Sequence, residues 1–200
     1  TVAVSSGTSS EIILQFVLAD AGLTMDDINT VEMNVEGMTT AILSDQIDAA
    51  ATWSPNTITI QEGLGENYVV LGTNNDYTDQ AAFPSSFITT TEYAEANHDV
   101  LVRFSQAILK AQVYRAANIE EVAKTLAADL DAPEDTMLLA VGEGNWQGAV
   151  DCMGDFDTIR SLYQAQQQVF LNNGTITEEV PVENYVLFDV MEEAYNNYNG

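Results

Sequence analysis

The first 72 residues switch repeatedly between a period-two and a helical hydrophobic pattern, and this alternation constrains the fold more than any other feature. Residues 1–5, TVAVS, alternate and are β-branched, which reads as a strand. Residues 11–21 then form a helix that is apolar on nearly every face. Gly22 stands at its C-cap position, and Ser9 or Ser10 is its natural N-cap. A polar segment over 24–29 leads to a second strand at 30–35. Gly37 breaks the chain, and a short helix follows through Met38, Ala41, Ile42 and Leu43. Residues 47–53 read as a small, buried third strand. Pro55 opens another helix near 55–63, and 68–72 is a fourth strand. Such alternation predicts an α/β layer with a largely parallel sheet.

The second part differs in character. Residues 73–82 are polar and loop-like, and 84–89 is predicted as a further strand. From there the pattern is helical. Apolar positions 100, 101, 104, 107, 108, 111 and 114 give one stripe over 99–116. Ile119, Val122, Ala123, Leu126 and Leu130 give another, with Asn118 as its cap. A third helix starts at Asp131 and Pro133, and a fourth runs from Phe156 to Phe170, closed by Asn173-Gly174. A last helix runs through Val186, Leu187, Val190, Met191 and Ala194. The expected organisation is a parallel-sheet lobe over 1–82 followed by a mainly helical part over 83–200.

Charge narrows the function. Five Lys and Arg face 31 Asp and Glu, a net charge of −26 in 200 residues. Such a chain repels phosphate backbones and anionic membranes, which argues against nucleic acid as a partner. The acidity fits a secreted protein or one from a salty habitat. With 46% hydrophobic residues, the chain can fill one good-sized core or two small ones. No run of about 18 apolar residues is present to span a membrane. Cys152 is the single cysteine and His98 the single histidine, so an internal disulfide and His-cluster metal sites are excluded. The start in a strand-like segment, without an initiating Met or a signal peptide, reads as a mature terminus or a cut boundary.

Three loops carry the candidate site. Gly7, Thr8, Ser9 and Ser10 lie between a strand and a helix N-terminus, where unpaired backbone N–H groups and the positive end of the helix dipole favour an anion. This matters because the first 102 residues contain no Lys or Arg. The loop is not a Walker loop, since no Lys follows the glycine. Read alone, it is also a plain helix cap. The second loop, Trp53-Ser54-Pro55-Asn56, ends the third strand. Trp53 could stack on a ligand and Asn56 could hydrogen-bond to it; Trp53 could equally be a core residue at a strand end. The third holds Gly37 and Met38 after the second strand, where a glycine lets backbone approach a ligand. All three leave the carboxyl-terminal edge of one parallel sheet, where open α/β sheets bind ligands. Trp146, flanked by glycines, reads as packing between helices. The scattered carboxylates read as a solvated face.

In order along the chain stand a strand, GTSSE, a helix, AGL with an acidic turn, AILSDQIDAAATWSPN, VVLGT and PSSFITTTEYAEANHDVLVRFSQAILKAQVYRAAN. This order resembles the periplasmic solute-binding proteins of the nitrate/sulfonate/taurine and thiamin-pyrimidine-precursor transporters, over about 120 residues. The resemblance implies a two-lobed fold of type II topology with the ligand between the lobes. It implies delivery of a small polar or anionic solute to the membrane permease of an ABC transporter, outside the cytoplasm, in the periplasm or as a cell-surface lipoprotein. It implies no cofactor and no catalysis. By the same resemblance Thr8, Ser9, Ser10 and Trp53 fall where the second lobe lines the cleft. Ser54 departs from the family, which often has an acidic residue there. The chain also starts at the second lobe, so the later helices would lack the sheet they normally cover, and self-association is one expected consequence. A ligand-sensing ectodomain or surface interaction protein is the alternative reading. An enzyme resembling the pyrimidine-precursor synthases is disfavoured because His98 and Cys152 lie outside the three loops.

Overall fold

A computed structural model describes residues 1–77, 80–81, 84–130, 132–172 and 174–199, with the side chains of residues 143 and 199 outside the description. Two compact units are present: residues 1–83 with 135–140, and residues 84–134 with 141–200. The boundary expected at residue 82 and the cap residues Asp131 and Asn173 lie outside the described residues.

The first unit is built on a three-stranded parallel sheet. Its strands β1 (Val2–Val4), β2 (Thr30–Glu32) and β3 (Ala49–Ala50) are ordered β2-β1-β3. Register sets Val4 against Glu32 and Ala3 against Ala50. Helices α1 (Ser9–Asp20) and α2 (Val35–Leu43) are the crossovers, and α3 (Asn56–Leu64) follows β3. Neighbouring residues of a strand face opposite sides, so β1 serves two cores at once. Ala3 packs with Met38, Ala41 and Ile47, on the α2 side. Val4 packs with Leu14 and Leu18 of α1. Helix α1 is covered on more than its sheet-facing side, so it carries apolar residues around most of its circumference. Phe16 on its flank stacks on Tyr77 at 5.2 Å, and the Tyr77 hydroxyl donates to Asp20 at 2.9 Å. Gly22, at φ 71°, turns the chain out of α1 in the left-handed region, with Leu23 N–H reaching back to the Leu18 carbonyl at 2.8 Å.

The expected fourth and fifth strands are not formed. Residues 68–72 and 84–89 carry no strand, and their apolar side chains face outward: Val69 is 80% exposed and Ile88 95%. β-branched composition favours a strand only where a neighbour supplies the ladder, and neither segment has one among the described residues.

The second unit is helical: α4 (Thr91–Ala96), α5 (His98–Ala117), α6 (Ile119–Asp129), α8 (Trp146–Asp151), α9 (Phe156–Asn172) and α10 (Phe188–Asn199). Short helix α7 (Glu134–Leu139) groups, from residue 135 on, with the first unit. Residues 140–143 tighten into a 3₁₀ turn. The twenty-residue α5 is the spine, and α10 docks on it through Val102, Val190 and Ala194. A second core joins Val182, Val186 and Phe188 to Phe156, Ile159 and Tyr163. Buried Gln167 on α9 holds residue 180 from both sides. Its amide donates to the Val180 carbonyl at 2.9 Å and its carbonyl accepts the Val180 N–H at 2.6 Å. Trp146 is a packing residue: its indole N–H donates to the Val141 carbonyl at 2.7 Å, and the Arg115 guanidinium lies 4.7 Å from its ring centroid.

Candidate functional site

Three parallel strands release their loops along one edge, and the predicted residues lie in those loops or in the first turns of the helices that follow them. The loop after β1 runs over residues 5–8, that after β2 over 33–34, and that after β3 over 51–55. The edge is knitted across the strands. Met33 N–H donates to the Val4 carbonyl at 3.1 Å, and Ala51 N–H to the Ala3 carbonyl at 2.9 Å.

The first loop holds its anions internally. Ser6 donates its backbone N–H to both oxygens of Glu32 at 3.1 Å and its hydroxyl to Glu32 Oε2 at 2.6 Å. Gly7, exposed and at φ 75°, donates its N–H to Glu11 Oε2 at 2.7 Å. The Ser6 and Gly7 amides of this loop are therefore already met by carboxylates of the chain. Glu11 stands in the first turn of α1, where the dipole favours an acid. Neither Ser9 nor Ser10 caps α1. Thr8 occupies the N-cap position and makes no side-chain cap bond; its hydroxyl goes to the Ser5 carbonyl at 2.7 Å and shares 2.8 Å with the Ser10 hydroxyl. Ser10 is buried, whereas Thr8 and Ser9 are half-buried on the edge.

The loop after β2 differs from its expected form. Gly37 does not break the chain but sits in the first turn of α2, where Asn34 Oδ1 accepts its N–H at 2.9 Å. Met38, one residue on, is 0% exposed and belongs to the core against Ala3. A ligand on the edge does not reach its side chain.

The loop after β3 presents an open indole. Trp53 is 41% exposed. Ser54 precedes Pro55 through a cis peptide, and the Ser54 and Thr57 hydroxyls lie 2.7 Å apart. Asn56 starts α3, and its Oδ1 accepts the Thr39 hydroxyl at 3.2 Å, so the side chain ties α3 to α2 and turns its amide nitrogen into the donor it can offer. Beside Trp53, the Thr52 hydroxyl is buried without a hydrogen-bond partner.

The edge thus carries Glu11, Glu32 and Glu36, several hydroxyls, one open indole and no cationic side chain. Glu11 and Glu32 were not singled out from the sequence. The signal for Glu11 was present in the spacing Thr8-x-x-Glu11, a capping-box pattern whose acid here reaches Gly7 instead of Thr8. Glu32 had no such signal, because its partner Ser6 lies 26 residues away. Among the described residues, no group of three or more His, Cys, Asp or Glu is placed to hold a metal ion, and no helix is long and apolar enough to cross a membrane.

Comparison with known proteins bears on residues 1–122, which match the family model described as "NMT1/THI5 like". Proteins of Brucella abortus, Brucella suis and Brucella melitensis, each named provisionally as a binding protein, are 34% identical over 120 residues. That match covers 60% of this chain and 37% of each relative, so it spans little more than a third of the length of the curated relatives. No solved structure matches the chain significantly.

Proposed function

The chain belongs to the NMT1/THI5-like family, of the nitrate/sulfonate/taurine solute-binding type, and from that premise we propose that it is the extracytoplasmic solute-binding component of an ABC uptake system. In this reading residues 1–82 serve as one lobe of a type II binding protein, and the helices of 83–200 belong to the other. The solute is held on the sheet edge of the first lobe and handed to a membrane permease without chemistry. The observation that carries the reading is the convergence of three strand-end loops on one sheet edge, with the Trp53 indole open beside them.

The solute meets Thr8, Ser9, Trp53 and the amide of Asn56 on this edge, with Gly7 supplying backbone room. A sulfonate or nitrate would reach the Ser6 and Gly7 amides only by displacing Glu32 and Glu11. Carboxylates already in place favour instead a small polar or zwitterionic solute whose N–H or ammonium end faces this lobe, because like charges repel across so short a gap. Trp53 adds a flat apolar wall.

A thermal-shift screen tests this: taurine, alkanesulfonates, nitrate, bicarbonate, thiamin-precursor pyrimidines and riboflavin against the folded chain. A solute at about 100 times its Kd stabilises by about 2.7 kcal/mol. The expected result is a shift with an amine-bearing or heterocyclic solute, lost in Trp53→Ala and weakened in Ser9→Ala. A shift with nitrate or an alkanesulfonate that Trp53→Ala leaves intact would overturn the assignment of this edge.

A further inference from the structure

The single histidine of the chain stands on the seam that joins its last helix to its longest. His98 is the first residue of α5, at one end of the apolar contact of Val102 with Val190 and Ala194. Its Nε2 lies 2.9 Å from Glu193 Oε2, and its Nδ1 lies 3.7 Å from Asp189 Oδ2. The two acids are four residues apart on α10, so they share one face of that helix. The ring is pinned between two groups that can only accept hydrogen bonds. The remaining charged groups of the neighbourhood are Asp99 and Arg103 on α5 and Glu95 on α4. Arg103 turns its Nε to the Asp99 carbonyl at 3.3 Å. No Lys or Arg lies on α10.

We propose that His98 is a proton-operated fastener: protonated, it bridges Glu193 and Asp189 and holds α10 on α5, and on losing that proton it frees the start of α10. The reason is charge. An imidazolium donates a hydrogen bond to Glu193 and attracts Asp189, 3.7 Å away, as an ion pair. The neutral ring keeps at most the one hydrogen bond and loses its attraction to both acids. The hydrogen bond to Glu193 raises the His98 pKa above its ordinary value; partial burial opposes this, and the charges of Glu193, Asp189 and Asp99 add to it. A raised folded-state value fixes the sign. The contribution of His98 to stability is complete below the unfolded value of about 6.5 and is lost as pH rises through the folded value. Both acids are well exposed, at 50% and 70% for their side chains, so the attraction is screened by salt.

One histidine gives one Cε1–H resonance, which makes the test direct in the whole chain. Its titration midpoint is expected above about 6.5, moving down in Glu193→Gln and by less in Asp189→Asn. Amide protection over residues 188–199, corrected for the intrinsic pH dependence of exchange, is expected to fall as pH rises through that midpoint. The step disappears in His98→Gln and shrinks in about 1 M salt. If His98→Gln does not fold, the wild-type titration and Glu193→Gln still decide. A midpoint at or below the ordinary value, a midpoint that Glu193→Gln leaves in place, or α10 protection indifferent to His98 ionisation would each overturn the proposal.

Discussion

The two units hold their carboxylates by different means. In the sheet unit there is no Lys or Arg, and acids are held by amides and hydroxyls. Glu32 is met by Ser6, Glu11 by Gly7, Asp27 by Thr24 and Asp76 by Thr73. In the helical unit, which contains all five Lys and Arg, acids are also held by cations that link helices. Arg160 reaches Asp157 at 3.0 Å and Glu183 at 2.7 Å while lying 4.6 Å from the Phe188 ring centroid. Lys124 reaches Glu134 at 3.5 Å, and His98 reaches Glu193. The difference teaches where each unit puts its acids to use. Neutral donors position a carboxylate without neutralising it, so the sheet edge stays negative and open to a polar solute. Cations neutralise and fasten, as Arg160 and Lys124 do in the helical unit.

If the sheet unit rests on apolar packing rather than on ion pairs, the largest loss comes from its core. Met38→Ala is expected to destabilise by about 2–5 kcal/mol, read by denaturant unfolding, and by an amount indifferent to salt. A loss well under 1 kcal/mol would mean that the α2–sheet contact is not what holds this unit.

Fastening by cations predicts the opposite salt response. Arg160→Gln should lower the melting temperature of the helical unit at low ionic strength and much less at about 1 M salt. It should also change the acid limb. The hydrogen bond from Arg160 holds the Glu183 carboxyl below its ordinary range. Its contribution is therefore present above the unfolded value and lost as pH falls through the folded one. Arg160→Gln should flatten that part of the stability profile, and an unchanged acid limb would show that the pair does not fasten the unit.

A smaller effect separates the two modes directly. Ser6→Ala removes the 2.6 Å hydroxyl bond to Glu32 and is expected to cost about 0.5–1.5 kcal/mol, with the first-loop resonances in NMR spectra shifting more than any others. Smallest of all, Val69→Ser and Leu71→Ser in the exposed segment should each change stability by no more than about 0.5 kcal/mol; a loss of 2 kcal/mol would mean those side chains are covered in solution.

How far the sequence could be read follows the range of the interactions. Helices α1, α5, α6 and α9 were legible because a helix closes its own hydrogen bonds and its stripe repeats within one window. The strands at 68–72 and 84–89 were misread because a strand depends on a neighbour that composition does not reveal. Gly37 does not act as a breaker: Asn34, three residues before it, is the informative residue, an N-cap that turns Gly37 and Met38 inward to the helix and core. The loop positions of Thr8, Ser9, Trp53 and Asn56 followed from topology alone. The carboxylates that fill the first loop did not, since the Ser6–Glu32 pair exists only once β1 and β2 lie side by side.

Binding at the sheet edge places the solute beside Trp53. The most direct measurement is the fluorescence of a Trp146→Phe chain, in which Trp53 is the single indole, titrated with the solute that gives the largest thermal shift. Saturable quenching or a spectral shift is expected with the same apparent Kd as the thermal measurement, abolished by Asn56→Ala and weakened by Ser9→Ala. Binding seen by melting but with Trp53 emission unmoved at saturation would place the solute elsewhere and contradict that placement.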